Sequence, residues 1–123
     1  MNIVGVGSRA GSAEFTIGGS VAVALLHFAK SMAYINISQS VRVNAINPGL
    51  IETERFARNI ERVMRERSLS HHEAMTFLVS SHDTTRVGQP AEIGALVAYL
   101  ASSKADFVQG SIIDIDGGAM RSL

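Results

Sequence analysis

The chain has no cysteine and no tryptophan, only two prolines and two tyrosines, and no excess of either charge. Without cysteine there is no disulfide framework, no thiolate nucleophile and no thiolate-ligated metal. With 11 basic and 11 acidic side chains in balance, no electrostatic footprint marks a nucleic-acid or membrane partner. The arginine-rich stretch from Arg55 to Arg67 interleaves Glu61 and Glu66, and so reads as a solvated helix face rather than a phosphate-binding patch. No uninterrupted apolar segment reaches the ~18 residues of a membrane span, and the first residues lack the pattern of a signal peptide. A soluble, cytoplasmic protein is the expectation. Of the four histidines, His27 falls beside an apolar helix stripe, where packing accounts for it. His71 and His72 are adjacent, so on a helix they diverge by roughly 100° and cannot share a metal. His82 stands apart, and no metal site is expected.

What is present is the alternation of an α/β protein. A length of 123 residues bounds one domain with a real core. Asn2 to Val6 reads as a short buried strand, and residues 7–19, rich in glycine and serine, as loop. A helix is expected from Ser20, its N-cap, to Ser38, with Leu25, Phe28, Met32 and Ile35 forming one apolar stripe. Val41 to Ile46 is the next strand, ended by Pro48-Gly49. Helices follow over 53–66 and 70–80, the second opened by the capping-box pattern Ser70-x-x-Glu73. Another helix starts at Pro90 and buries Ile93, Leu96, Val97 and Leu100, and Ser111 to Ile115 is a last strand. The pattern predicts a single domain over 1–123 with a small parallel sheet of about three strands flanked by helices.

Gly5-Val6-Gly7-Ser8-Arg9-Ala10 fits the G-x-G-x-x-[G/A] fingerprint of dinucleotide-binding turns. That fingerprint needs a helix to begin at once and an acid about 20 residues later. Here a loop intervenes, and residues 25–27 are Leu-Leu-His, so the match is set aside.

Three other blocks carry more. They are Val41-Arg42-Val43-Asn44-Ala45-Ile46-Asn47-Pro48-Gly49-Leu50-Ile51-Glu52-Thr53, Arg86-Val87-Gly88-Gln89-Pro90-Ala91-Glu92-Ile93, and Gly110-Ser111-Ile112-Ile113-Asp114-Ile115-Asp116-Gly117-Gly118. In order and spacing they resemble the C-terminal half of a short-chain dehydrogenase/reductase. The resemblance implies a partial, three-layer Rossmann-like fold matching the last three strands of a doubly wound sheet. It also implies NAD or NADP as cofactor, or none bound by this chain if the unmatched half is required.

In that family a Tyr followed four residues later by a Lys supplies the proton and lowers its pKa. Counting back from Asn44 without gaps puts Gly18 at the Tyr position and Ala22 at the Lys position. The only tyrosines, Tyr34 and Tyr99, are followed at +4 by Ser38 and Ser103, so no Tyr-x-x-x-Lys exists in this sequence. Ser8 matches the Ser that polarises the substrate carbonyl, with a loop-stabilising hydroxyl as the plainer reading. Pro48, Gly49, Ile51 and Thr53 match the segment that passes the nicotinamide and a phosphate. A strand-ending turn and a helix N-cap would account for the same residues. Asn44 and Asp116 match positions that hold strand ends. The stretch from Glu54 to Arg86 matches the variable substrate cover, though Met64, Met75, Phe77 and Leu78 suit ordinary helix packing.

An open first strand and the family's interface helix together imply a homo-oligomer, formed through helix 20–38 and the edge strand 2–6. Two readings of function follow. The chain is a truncated family member, unable to transfer hydride alone, serving as an oligomeric or partner-binding module. Alternatively it is part of an NAD(P)-dependent alcohol/carbonyl oxidoreductase whose cofactor-binding half lies on another chain or outside this sequence.

Overall fold

The computed structural model describes residues 1–9 and 13–121. It contains β1 (Asn2–Ile3), α1 (Thr16–Ile35), β2 (Ala45–Pro48), α2 (Glu54–Arg67), α3 (His71–Ser81), α4 (Pro90–Ala101) and β3 (Ile112–Ile115). The strands form one parallel sheet in the order β1-β2-β3, with Asn2 opposite Ala45 and Ala45 opposite Ile112.

Alternation along β2 explains the layers. Successive strand side chains point to opposite faces. Ala45 packs with Leu26 and Ala29 of α1, whereas Ile46 packs with Leu100 of α4 and with Ala105. One helix therefore covers each face. α2 and α3 form a third small core of Phe56, Ile60, Val63, Ala74 and Leu78 beside the sheet. The expected α/β architecture is the observed one. Arg42 reinforces it by donating to the carbonyls of Leu100, Ser102 and Ala105 at 2.6–3.2 Å, which caps the C-terminal end of α4 with a cation.

The details of α1 differ from the sequence reading. The helix begins at Thr16, so Gly18 and Gly19 lie inside it, and the Ser20 hydroxyl donates to the Thr16 carbonyl at 2.9 Å instead of capping. Its sheet-facing stripe is Ala22, Leu26, Ala29 and Ala33, not Leu25, Phe28, Met32 and Ile35. Small side chains let the helix axis lie close to the sheet, and the large ones are left outside: Phe28 is 54% exposed and Ile35 59%. The expectation of no span-length apolar segment also needs correction, because α1 has 20 residues at a mean hydropathy of 1.2. Its alanine stripe is nevertheless committed to the sheet.

The first strand is shorter than expected. The Val4 amide still reaches the Ile46 carbonyl at 2.8 Å, but Gly5 at φ +128° turns the chain into a 3₁₀ turn over Val6–Ser8. Residues 41–44 lie outside β2, and the Gln109 side chain stands in for a neighbouring strand. Its carbonyl oxygen accepts from the Val43 amide at 2.8 Å, while its amide donates to Ala33 and Val41. Asn44 acts in the same way, donating to the Val108 carbonyl and accepting from the Ser111 amide, both at 2.9 Å.

Candidate functional site

A cavity of about 960 Å³ opens beyond the carboxyl ends of β1 and β2. This is where parallel α/β sheets place their ligands, because the connecting loops diverge there. Three segments wall it: the turn after β1, the first turns of α1, and the strap 48–53 that continues into α2.

The turn after β1 is held from inside the sheet. Asn47 is fully buried, its side-chain amide donates to Asp114 Oδ1 at 2.9 Å, and its Oδ1 accepts from the Gly5 amide at 3.3 Å. Asp114 in turn pairs with Arg9 at 3.2 Å. One polar chain thus links the turn, β2 and β3. Ser8 belongs to it: its hydroxyl donates to the Gly5 carbonyl at 2.9 Å and lies 3.3 Å from Asn47 Oδ1. Ser8 is turned back on its own loop and is absent from the cavity wall, whereas Gly5, Val6 and Gly7 line it. Ala10 of the Gly5–Ala10 fingerprint lies outside the described residues.

Gly18 and Ala22 both line the cavity, one helical turn apart. They present a hydrogen and a methyl group where the resemblance places a phenol and an ammonium. The space itself is taken by Phe15. A Cβ added at Gly18 would come within 2.3 Å of the Phe15 ring, and one added at Gly7 within 2.7 Å. The ring is thus seated between two glycines, with the Arg55 guanidinium 5.9 Å from its centroid.

Pro48, Gly49, Ile51 and Thr53 all face the cavity. Gly49 is required by close approach, since a Cβ there would lie 2.7 Å from the Asp116 Cα. Gly88 pins the strap: its amide donates to the Leu50 carbonyl at 2.8 Å, and its carbonyl accepts from the Glu52 amide at 2.9 Å. This pairing leaves the Ile51 amide outside the ladder, among the described residues. Thr53 is the N-cap of α2, its hydroxyl oxygen accepting from the Phe56 amide at 3.3 Å. The Gly88 loop is itself braced by Arg86, which grips both carboxylate oxygens of Glu92 at 2.8 and 2.5 Å. That guanidinium, with the Gln89 amide, holds the Glu92 carboxyl down to about 2.

Two parts of the site escaped the sequence reading. Asn47 fell one residue beyond the strand read as Val41–Ile46, whereas the observed β2 runs Ala45–Pro48 and buries it. The other is a row on α2. Arg55, Arg58 and Arg62 recur at +3 and +4, which places them on one side of the helix, and all three line the cavity. Asp116 has the strand-end role expected of it, accepting from the amides of Gly118 and Met120 at 3.0 and 2.7 Å. His82 is also at the cavity, whereas His27, His71 and His72 are exposed on their helices. Met64, Met75 and Phe77 pack against the α2–α3 core, to which Leu78 belongs.

A parallel sheet covered by one helix on each face, with its cavity beyond the strands' carboxyl ends, defines a Rossmann-like α/β protein. Residues 1–120 match the family model described as enoyl-(acyl carrier protein) reductase. The chain belongs to the short-chain dehydrogenase/reductase family. It is 33% identical over 123 residues to the NADPH-dependent reductase BacG of Bacillus subtilis, covering all of this chain and 48% of that protein. It is 30% identical over 117 residues to the 3-oxoacyl-[acyl-carrier-protein] reductase FabG of Vibrio cholerae, covering 95% of this chain and 42% of that protein. The solved structure of YwfH, described as an NADPH-dependent reductase involved in bacilysin biosynthesis, superposes at a TM-score of 0.89 with 32% identity. That superposition covers 99% of this chain and 46% of YwfH. The chain thus spans about half the length of the curated relatives it matches.

Proposed function

We propose that this chain is a short-chain dehydrogenase/reductase module that does not transfer hydride by itself and acts as an oligomeric or partner-binding unit in the cytoplasm. One observation carries the reading. At the two positions where the family resemblance places the proton donor and its lysine, Gly18 and Ala22 face the cavity, and the Phe15 ring fills the space above Gly18. Among the described residues, no tyrosine or lysine lines that cavity. General acid catalysis commonly contributes 10²–10⁴-fold, so its loss alone would leave a slow enzyme.

Self-association belongs to the same reading. α1 exposes Ile17, Phe28 and Ile35 on its outer side, and Ile3 on the edge strand is 59% exposed. An apolar helix face beside an open strand edge is a surface that a second chain would cover. Wild-type protein should scatter light as a dimer or larger at low micromolar concentration, and Phe28→Asp should reduce it to a folded monomer. A monomeric wild type would remove the oligomer from the proposal.

A second reading has its own support in the strap. The unladdered Ile51 amide, the close turn at Gly49 and the Thr53 hydroxyl are suited to one side of a nicotinamide cofactor. NAD or NADP, when bound, would supply or accept the hydride in exchange between an alcohol and a carbonyl. This chain's own part would be to orient the carboxamide and a phosphate, and a partner chain or a further segment would hold the rest.

Titration of NADH and NADPH, followed by cofactor fluorescence, separates the two readings, and the absence of tryptophan keeps the background low. No saturable binding at millimolar cofactor is the expected result. A dissociation constant below about 100 μM, roughly −5.5 kcal/mol, would favour the second reading.

A further inference from the structure

We propose that the cavity is a receptor for a small molecule with an anionic head on an apolar body, its head held by Arg55, Arg58 and Arg62. The inference names the ligand class for the site described above, and it rests on that cavity being a binding site.

The charge count of the wall is the starting point. The chain as a whole is neutral, yet the cavity is lined by three arginines and by no aspartate or glutamate among the described residues. The sequence reading of this stretch as a solvated face rests on the interleaved acids. In the folded chain neither of those acids lines the cavity: Glu61 is exposed, and Glu66, like Glu54 at the start of α2, stays on the solvent side, the two pairing with Arg62 and Arg58 at 2.8 and 3.1 Å. Exposed pairs of this kind are worth little and give way readily to a better anion. Arg62 is also steadied by Asn59 Oδ1 at 2.8 Å, another residue of the cavity wall. Arg55 has no acidic partner among the described residues, and its guanidinium lies 5.9 Å from the centre of the Phe15 ring. It is the free cation of the row.

The rest of the wall explains why inorganic phosphate is not the ligand. Val4, Val21, Leu25, Leu50 and Ile51 line the space next to the arginines. At about 960 Å³ the space also exceeds what a bare anion needs. An apolar body seated on these residues brings the head to the guanidiniums. Arginine suits that head well, because its planar fork matches a carboxylate in two parallel hydrogen bonds.

The test needs neither cofactor nor turnover, so its failure is separable from that of the proposed function. Amide chemical shifts of the isotope-labelled chain would be followed while phenylbutyrate, phenylbutanol and inorganic phosphate are titrated separately. Phenylbutyrate should saturate at a concentration about tenfold below phenylbutanol, moving amides of 4–7 and 50–58. Arg55→Gln should remove about that tenfold preference and leave the alcohol unaffected, as expected for one charge-assisted hydrogen bond. Arg65→Gln, near the far end of α2 and absent from the cavity wall, should change nothing. Equal binding of acid and alcohol, phosphate binding as tightly as phenylbutyrate, or an unaltered preference in Arg55→Gln would each overturn the proposal.

Discussion

Replacing Asn47 by Asp should destabilise the chain by about 3 kcal/mol, lowering the thermal midpoint by roughly 10 °C. The change alters one atom and reverses its role. Asn47 is fully buried, and its Nδ2 donates to Asp114 Oδ1 at 2.9 Å. In the variant a carboxylate oxygen takes the donor's place opposite another carboxylate, and among the described residues only Arg9 is paired with Asp114 to offset them. A buried polar group that loses its partner costs far more than an exposed one, since water cannot replace the bond. The Gly5 amide and Ser8 hydroxyl, which face Asn47 Oδ1 at 3.3 Å, would still find an acceptor. The loss is therefore specific to the 47–114 contact.

The swapped double variant Asn47→Asp/Asp114→Asn tests this directly. It restores one donor facing one acceptor and should recover more than half of the lost stability. Circular dichroism melts of the wild type, Asn47→Asp, Asp114→Asn and the double variant at neutral pH would give the coupling energy. An Asn47→Asp protein as stable as the wild type would show that the polar chain does not hold the turn.

How much of this was readable beforehand depends on the range of the interaction. α2 and α3 lie within a residue or two of their expected bounds, because Thr53 and Ser70 are local caps and the capping box at Ser70-x-x-Glu73 is present. The parallel sheet was legible for a similar reason: β-branched runs alternate with helical periods. α1 was misread where local propensity and tertiary context disagree. Glycine disfavours helix interiors by about 1 kcal/mol relative to alanine, so Gly18-Gly19 read as loop. In the fold that pair makes room for the Phe15 ring and for a close passage by the Gly7 carbonyl. The choice of stripe failed likewise. Hydrophobicity favoured Leu25 and Phe28, while the distance between helix and sheet favoured Ala22, Ala29 and Ala33.

The family blocks located the strap before any geometry was available, since Pro48, Gly49, Ile51 and Thr53 do face one cavity. They could not locate the arginine row. A charge pattern along a helix states which residues share a side, but not which side meets the cavity. Asn47 illustrates the same limit at shorter range: it sits inside a recognised block, yet its partners lie 42 and 67 residues away.

Gly18→Tyr, which puts a phenol where the family resemblance places one, should cost about 2 kcal/mol and yield no activity by itself. Any side chain at 18 must displace Phe15, because even a Cβ would sit 2.3 Å from two of its ring atoms. Backbone freedom has no part in this requirement, since Gly18 lies in the regular helix α1. Phe15→Ala empties the space at a modest cost of its own, since the ring is 39% exposed, and leaves Gly7 and Gly18 beside a void open to solvent. In the double variant Phe15→Ala/Gly18→Tyr the new ring occupies that void, so the two costs should cancel by 1 kcal/mol or more in a mutant cycle. Chemical denaturation of the four proteins measures the coupling. Additive costs would mean that Phe15 swings clear freely and does not define the site. With strong coupling, the double variant becomes the background in which Ala22→Lys can be added and cofactor binding retested. If binding and slow turnover appear only there, Phe15 and the two small residues beneath it are what separates this chain from its catalytic relatives. If they do not appear, restoring those three positions is not sufficient for cofactor binding.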